Sequence, residues 1–366
     1  MKIFFFIPDL SGGGAERMIL NLAGGLVSKG HDVSVVIATS TKNIAYAVPL
    51  NVKIIELGCS RTILSVFKLQ KLLRESKPQV LLSTIFYACL VAVVSVRLSF
   101  VKIVNILRVE NSLRSYLAGM GFWSISCFSF LIRFFFTKST YVVGVSQGLA
   151  NEMVEYWRIP SKKVVKIYNP VVSDEITGTI IDDHAHPWFG KGFKIILGIG
   201  RFNPQKDFST LIHAFSLLEN KNGLRLIILG DGEERQALQA LVESLGLKDL
   251  VDLPGFVSNP FVYMKQADVF VLSSRYEGLP GALIQAMACG CQVVSTDCPY
   301  GPDEILMKGK FGFLVPVNDA QMLMQGITQA LSHPKDRQQI IQRAGDFSVS
   351  ASLEQYEKLF FKEGFV

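Results

Sequence analysis

The sequence predicts an α/β protein of two Rossmann-like, doubly wound parallel-sheet domains facing a cleft. Three observations predict it. Short β-rich apolar runs alternate with helical patterns, and they do so in two successive blocks. Asp268-Val269-Phe270-Val271-Leu272 is apolar at nearly every position, as a strand covered on both faces must be. A chain of 366 residues, 49% apolar and 19% charged, suits two ordered domains of ordinary size.

In the first block, Lys2-Ile7 reads as a strand, Gly12-Gly13-Gly14 as a loop, Ala15-Gly25 as a helix and Val33-Ala38 as a second strand. Further strands are expected at Val52-Glu56, Val80-Ser83, Lys102-Leu107, Tyr141-Val145 and Val164-Ile167. Arg61 to Lys77 is an amphipathic helix, with Ile63, Leu64, Phe67 and Leu72 apolar and Lys68, Lys71, Arg74 and Lys77 basic. Leu113 to Phe136 is rich in Phe, Trp, Leu and Ile. The polar, turn-rich stretch Thr177 to Gly192 marks the boundary. The expected division is therefore 1–176, a linker 177–192, 193–345, and a terminal helical segment 346–366. Strands of the second block are Lys194-Ile199, Leu224-Leu229, Val251-Leu253, Asp268-Leu272, Gln292-Ser295 and Gly312-Val315. Its helices include Phe208-Leu218, Glu233-Ser244 and Ala320-Ser332, and Leu353 to Phe361 is the last helix.

Composition narrows the function. Residues 1–150 hold 16 Lys/Arg against 6 Asp/Glu, and residues 151–366 hold 21 against 25, within an overall net charge of +6. The N-terminal half is thus the side expected to face something anionic. The basic stretch 61–77 and the aromatic, cationic stretch 114–138 suit an anionic membrane surface. The uncharged run Val80 to Val96 breaks into a strand and a helix, so no span is expected there. The six cysteines form no CxxC pair and read as free thiols of a reducing cytosol, and no metal site is expected. His31, His184, His186, His213 and His333 fall in turns, the linker and helices, with structural roles. Nothing points to nucleic acid.

Chemistry concentrates at carboxyl ends of predicted strands, where open parallel sheets bind ligands. Glu277-Gly278-Leu279-Pro280 follows the strand ending at Leu272 and precedes a helix whose free N–H groups suit a phosphate. Gln285 lies two turns into that helix. Arg201 and Lys206 emerge after Gly200, and two fixed cations suit a departing diphosphate. Gly230-Asp231-Gly232 is a glycine turn permitting close backbone approach to a ligand. Pro254-Gly255-Phe256-Val257 follows another strand at the same edge. In the first block, Gly12-Gly13-Gly14 opens a helix, and Arg108-Val109-Glu110-Asn111 ends a strand. Read as a dinucleotide fingerprint the glycine run is broken, with Arg17 where a third glycine belongs, which disfavours a dehydrogenase.

The run Ser273 to Gly290 resembles the donor-site motif of the family 4 glycosyltransferases, two glutamates eight positions apart in a Glu-Gly-Leu/Phe-Pro context. It has the first, Glu277, and departs at the second, where Gln285 keeps an acceptor and loses the charge. Gly200-Arg201 with Lys206 resembles the family's diphosphate clamp, and Gly12 to Arg17 its first loop. Thr296 to Ile305 resembles a branch acting on lipid-linked or lipopolysaccharide glycans. The resemblance implies the GT-B fold, with a C-terminal helix crossing back to the N-terminal domain. It implies a retaining transferase that moves a hexose or N-acetylhexosamine from a UDP-linked donor, without metal or other cofactor, to a hydroxyl of a membrane-associated glycan. The setting would be the inner face of the cytoplasmic membrane. Arg201, Lys206 and Glu277 would be catalytic. Gly13, Gly14, Gly232, Phe256, Val257, Gly278, Leu279, Pro280 and Gln285 would bind donor, and Arg108, Glu110 and Asn111 are acceptor-side candidates. A non-catalytic nucleotide-sugar-binding protein and an epimerase of the same architecture are the alternatives.

Overall fold

The computed structural model describes residues 1–40, 46–117, 122–173, 176, 178, 182 and 185–362. Parts of the expected linker 177–192 and residues 118–121 of the aromatic stretch Leu113 to Phe136 lie outside the described residues. The chain forms two compact units, Met1–Val171 with Ser348–Val366, and Val172–Phe347.

The first unit is a seven-stranded parallel sheet. Its strands are β1 Lys2–Ile7, β2 Asp32–Ile37, β3 Lys53–Glu56, β4 Val80–Thr84, β5 Val104–Val109, β6 Tyr141–Gly144 and β7 Val164–Lys166, in the order β3-β2-β1-β4-β5-β6-β7. The central strand β1 is apolar because both of its faces are covered. Ile3, Phe5 and Ile7 enter one core cluster, and Phe4 and Phe6 enter the cluster on the opposite face.

The second unit has β8 Lys194–Ile199, β9 Leu224–Leu229, β10 Val251–Gly255, β11 Val269–Leu272, β12 Gln292–Thr296 and β13 Phe313–Val315, in the order β10-β9-β8-β11-β12-β13. In each sheet the chain runs outward on one side and then returns to the other. The strand order therefore reverses between β1 and β4 in the first unit and between β8 and β11 in the second.

One expectation needs correction. Arg61 to Lys77 is not one helix: a 3₁₀ turn, Thr62–Ser65, precedes the α-helix Val66–Ser76. Its buried face is Leu69 and Leu73, whereas Ile63, Leu64 and Phe67 stand in solvent. The apolar residues exceed what one face can bury, so periodicity alone did not say which would be covered. The end of the turn-rich boundary stretch packs inward. His186 is buried, pairs with Asp252 at 3.0 Å and packs against Trp188, Phe189 and Tyr263. Four of the six cysteines are buried, Cys59 is half-buried and Cys127 is exposed.

The last helix, Val349–Phe361, packs on the first unit, placing Leu353, Tyr356, Leu359 and Phe360 in the core cluster of Ile3, Ile19 and Leu22. It crosses the helix Gly14–Ser28 at Gly25. A Cβ there would sit 2.5 Å from Leu353 Cδ1, so any side chain at the crossing would make Leu353 shift. Phe360→Ala should lower the stability of the first unit by about 3–5 kcal/mol, the usual cost of emptying a fully buried phenylalanine site. The urea midpoint of that unit's unfolding, followed by hydrogen exchange in β1, measures it.

Candidate active site

The reversal point of the second sheet gathers the charged residues. The loop after β8 and the loop after β11 are stitched together by main-chain and side-chain bonds. Arg275 N donates to Gln205 O at 2.8 Å, Gln205 Nε2 to Tyr276 O at 2.9 Å, and Ser273 Oγ to Lys206 O at 2.8 Å. Across this seam Lys206 Nζ meets Glu277 Oε1 at 2.5 Å, and Ser274 Oγ donates to the same oxygen at 2.7 Å. Glu277 is buried, so an ion pair with a hydroxyl donor is what its charge requires. The Lys206 stem lies along Gly200, where a Cβ would stand 3.2 Å from it. Arg201 is exposed and, among the described residues, makes no ion pair.

A third loop completes this edge. Glu277 N donates to Pro299 O at 2.8 Å, and Tyr300 N returns a bond to Glu277 O at 3.0 Å. Gly301 has φ +103, and a Cβ there would meet Gly278 O and Pro280 Cδ, both at 2.9 Å. The segment after β12 thus braces the Glu277 turn. The helix that follows is Gly281–Ala288, with Pro280 as its N-cap rather than inside its first turn, and no side chain caps its N–H groups. Those donors face the same strand ends as Arg201 and Lys206. Gln285 is buried to 9% exposure, and its side chain makes no hydrogen bond to a described residue. Cys298, beside Glu277, has its thiol pushed up to about 12, first by burial and then by the Glu277 charge.

Gly232 has a different reason to be glycine from the one expected. A Cβ there would strike the backbone of Phe202, and one at Gly230 would strike Gly200 O. The turn after β9 therefore packs on the loop after β8, and that contact alone forbids side chains. Next along the edge, Gly230 N donates to Gly255 O at 2.8 Å, and Phe256 stands 66% exposed with Val257 half-buried beside it. A bare aromatic ring at this edge suits a stacked base.

In the first unit, Gly13 is the N-cap of the helix Gly14–Ser28, and the Glu16 side chain folds over it. At the carboxyl end of β5 the expectation for Arg108 is corrected. Arg108 is 1% exposed, pairs with Glu110 Oε1 at 2.6 Å and donates to Asn169 Oδ1 at 2.6 Å. Its charge is spent on those two partners, and it orients Glu110, which also accepts from Thr84 Oγ1 at 2.9 Å. Glu110 stays part-exposed and Asn111 exposed.

Sequence reasoning missed one pair. Asp207, with φ +48, accepts from Ser209 Oγ at 2.8 Å and Thr210 Oγ1 at 2.9 Å, and pairs with Arg275 Nε at 3.1 Å. Burial alone would raise its carboxyl, but the bonds from Arg275, Ser209 and Thr210 hold it below the ordinary 3.8. The only signal was positional: Asp207 follows Lys206, and Arg275 stands two before Glu277. No group of three His, Cys, Asp or Glu side chains among the described residues is placed to hold a metal ion.

Residues 12–175 match the family described as Glycosyltransferase Family 4, and residues 179–347 the family described as Glycosyl transferases group 1. The chain is 30% identical to a Campylobacter jejuni GalNAc-alpha-(1->4)-GalNAc-alpha-(1->3)-diNAcBac-PP-undecaprenol alpha-1,4-N-acetyl-D-galactosaminyltransferase, over 98% of each protein. A second Campylobacter jejuni protein, N-acetylgalactosamine-N,N'-diacetylbacillosaminyl-diphospho-undecaprenol 4-alpha-N-acetylgalactosaminyltransferase, is 34% identical over 57% of this chain and 55% of its own length. Among solved structures, Anabaena HepE with UDP and glucose superposes with a TM-score of 0.79 at 18% identity, covering 98% of this chain and 99% of that one. Sucrose-phosphate synthase from Thermosynechococcus elongatus gives 0.82 at 18% identity, covering 99% and 98%.

The Asp207 carboxylate sets a pH dependence. A carboxyl held below its unfolded value adds stability above that value and loses it as pH falls through the folded one. Asp207→Asn should therefore cost about 1–3 kcal/mol at pH 7, the scale of hydrogen bonds to a charged group. The gap to the wild type should close as pH falls below 3.8. Urea denaturation at pH 7 and near the acid limit compares the two.

Proposed function

The chain belongs to glycosyltransferase family 4, and on that footing we propose that it is a retaining transferase moving an N-acetylhexosamine or hexose from a UDP-linked donor to a hydroxyl of a lipid-linked or surface glycan. The observation that carries this is the Lys206–Glu277 contact at the β8/β11 reversal, with Arg201 open beside it. The names of the Campylobacter jejuni relatives, both acting on undecaprenol-linked glycans, support an N-acetylgalactosamine donor and a lipid-linked acceptor.

In this reading the diphosphate binds against Arg201, Lys206 and the uncapped N–H groups of Gly281–Ala288. As the bond to the anomeric carbon breaks, charge grows on the leaving phosphate, and these fixed donors stabilise it without a divalent ion. Lys206 then divides its attention between phosphate and Glu277. Glu277, still bonded to Ser274, is left free to hold sugar hydroxyls. The leaving phosphate takes the acceptor proton on the same face, so the configuration is retained and no protein nucleophile is needed. Gln285 offers its amide to the ribose, Phe256 and Val257 hold the base, and Gly13, Gly14, Gly232 and Gly278 to Pro280 shape the loops around the donor. Glu110 and Asn111 receive the acceptor.

The first unit supports work at a membrane surface, at its cytoplasmic face. Ile63, Leu64, Phe67, Phe100, Phe130 and Phe134 are exposed large apolar side chains, Phe100 to 93% and Phe67 to 74%. Exposed Arg61, Lys71, Arg74, Lys77, Arg133 and Lys138 belong to the same helical segments. Ile132 and Phe136 are buried, so the helix Phe122–Phe136 divides its apolar residues between core and solvent. Among the described residues no helix is long and apolar enough to cross a membrane. Rings and cations together on one set of helices suit the interface of an anionic bilayer.

Two outcomes are expected. Lys206→Ala should lower turnover by about two to three orders of magnitude at saturating donor, the size of one lost transition-state charge contact. The donor is chosen from UDP- and GDP-sugars by thermal stabilisation, and an unchanged rate removes the role. The protein should also float with phosphatidylglycerol vesicles at low salt, and Phe67→Glu should weaken that flotation. Failure to bind at any salt ends the membrane reading.

A further inference from the structure

We propose that Asp207 and Arg275 are a positioning pair that sets the spacing of Lys206 and Glu277, an inference that rests on those two residues working on the donor. The two ion pairs cross the same seam between the loops after β8 and β11. Lys206 and Asp207 are consecutive, and Arg275 and Glu277 are separated by one residue. The four side chains are therefore two rungs of one ladder.

The rungs differ in kind. Lys206 and Glu277 have freedom to exchange partners, because Lys206 is one-fifth exposed and binds through a single flexible ammonium. The other rung is fixed. Asp207 is 1% exposed at its side chain, and both of its oxygens are used: Oδ1 by Ser209 Oγ and Arg275 Nη2, Oδ2 by Thr210 Oγ1 and Arg275 Nε. The guanidinium thus grips the carboxylate in a fork, which fixes angle as well as distance. Its main chain is held too, through Arg275 N to Gln205 O at 2.8 Å.

The backbone at Asp207 explains why a fork is needed there. With φ +48 and ψ +49 the residue is left-handed, a conformation disfavoured for most side chains that an aspartate reaches with the help of local hydrogen bonds, here those of Ser209 and Thr210. That turn sends Lys206 toward Glu277, while Asp207 stands at the N-cap of the helix Phe208–Leu217 and accepts from the Ser209 and Thr210 hydroxyls rather than from the helix N–H groups. If the fork is released, the turn relaxes and the Lys206 ammonium moves off the place where the diphosphate would meet it. Arg275 faces Glu234 as well as Asp207, so its charge is balanced within the ladder rather than held for a ligand.

The test uses the full chain, UDP binding by calorimetry, and UDP release from UDP-N-acetylgalactosamine. Arg275 is half-exposed, so its variants should fold. Arg275→Gln should lower turnover about tenfold to a hundredfold, the cost of misplacing a catalytic group by about an ångström, with a much smaller change in UDP affinity. Arg275→Lys should recover only part of the loss, because an ammonium cannot grip both oxygens. In a Lys206→Ala background, Arg275→Gln should add little further loss, since a residue acting through another has nothing left to position. A loss of equal size in both backgrounds, or a matching fall in UDP affinity, would make Arg275 a direct ligand of the diphosphate and overturn the proposal. Full turnover by Arg275→Gln with an inactive Lys206→Ala sinks the positioning role alone. Full turnover by Lys206→Ala sinks the donor-site reading and this proposal with it.

Discussion

The second unit depends on one contact, the ion pair of Lys206 with Glu277. A carboxylate at 7% side-chain exposure loses most of its hydration, and only a charged partner with hydrogen bonds offsets that loss. Here the partner comes from the neighbouring βα loop, so the charge also holds two loops at a set distance. The bonds of Gln205, Ser273 and Arg275 follow the same seam, and the segment Pro299–Gly301 braces it from the other side. A parallel sheet fills both of its faces with apolar side chains, so polar groups that must meet a ligand are left with the strand ends. The reversal between β8 and β11 is where two such ends stand side by side without a crossover helix between them.

Much of this was legible in the residues. Apolar runs located the thirteen strands among the described residues to within a few positions, because strands buried on both faces have little freedom of composition. The glycine turns after those runs placed Arg201, Lys206 and Glu277 at the carboxyl ends of β8 and β11, where the structure has them. Arg108 was not legible: a strand-end arginine reads as a substrate contact, and only tertiary structure shows Asn169 and Glu110 closing over it. Asp207 with Arg275 was hidden for the same reason, since sequence separation conceals a pair formed across a seam. The amphipathic stretch after Arg61 was misread in its details because Leu69 and Leu73, not its first apolar residues, face the core.

The two units carry different burdens. The first holds the cationic excess of the chain and its exposed phenylalanines, and it also receives the C-terminal helix into its core. Exposed rings beside cations are costly in water and useful at an interface, where ring and ammonium each find their own depth. Arg108 belongs to the same unit and shows the opposite economy. Its charge is taken out of water entirely, and its work is to aim Glu110.

Gln285 is the departure from the family pattern, and the structure gives it a physical sense. The position is buried to 9% exposure, with no described side-chain partner. A glutamate there would carry a charge with poor hydration and no cation bonded to it, close to the already buried charge of Glu277 on the preceding turn. Such a carboxylate costs several kcal/mol unless something binds it, on the order of the penalty for an unpaired buried ion. A glutamine avoids most of that cost and still presents one acceptor and two donors to a hydroxyl-bearing ligand. What it gives up is the strength of a charge-assisted bond, about half of the interaction by the usual comparison. On the proposed reading the exchange therefore moves free energy from the bound state to the empty one: the vacant site is less strained, and a nucleotide would be held less tightly. Phosphate recognition, which the proposed reading assigns to Arg201, Lys206 and the helix end, would be untouched by it, because those groups would act on a different part of the donor.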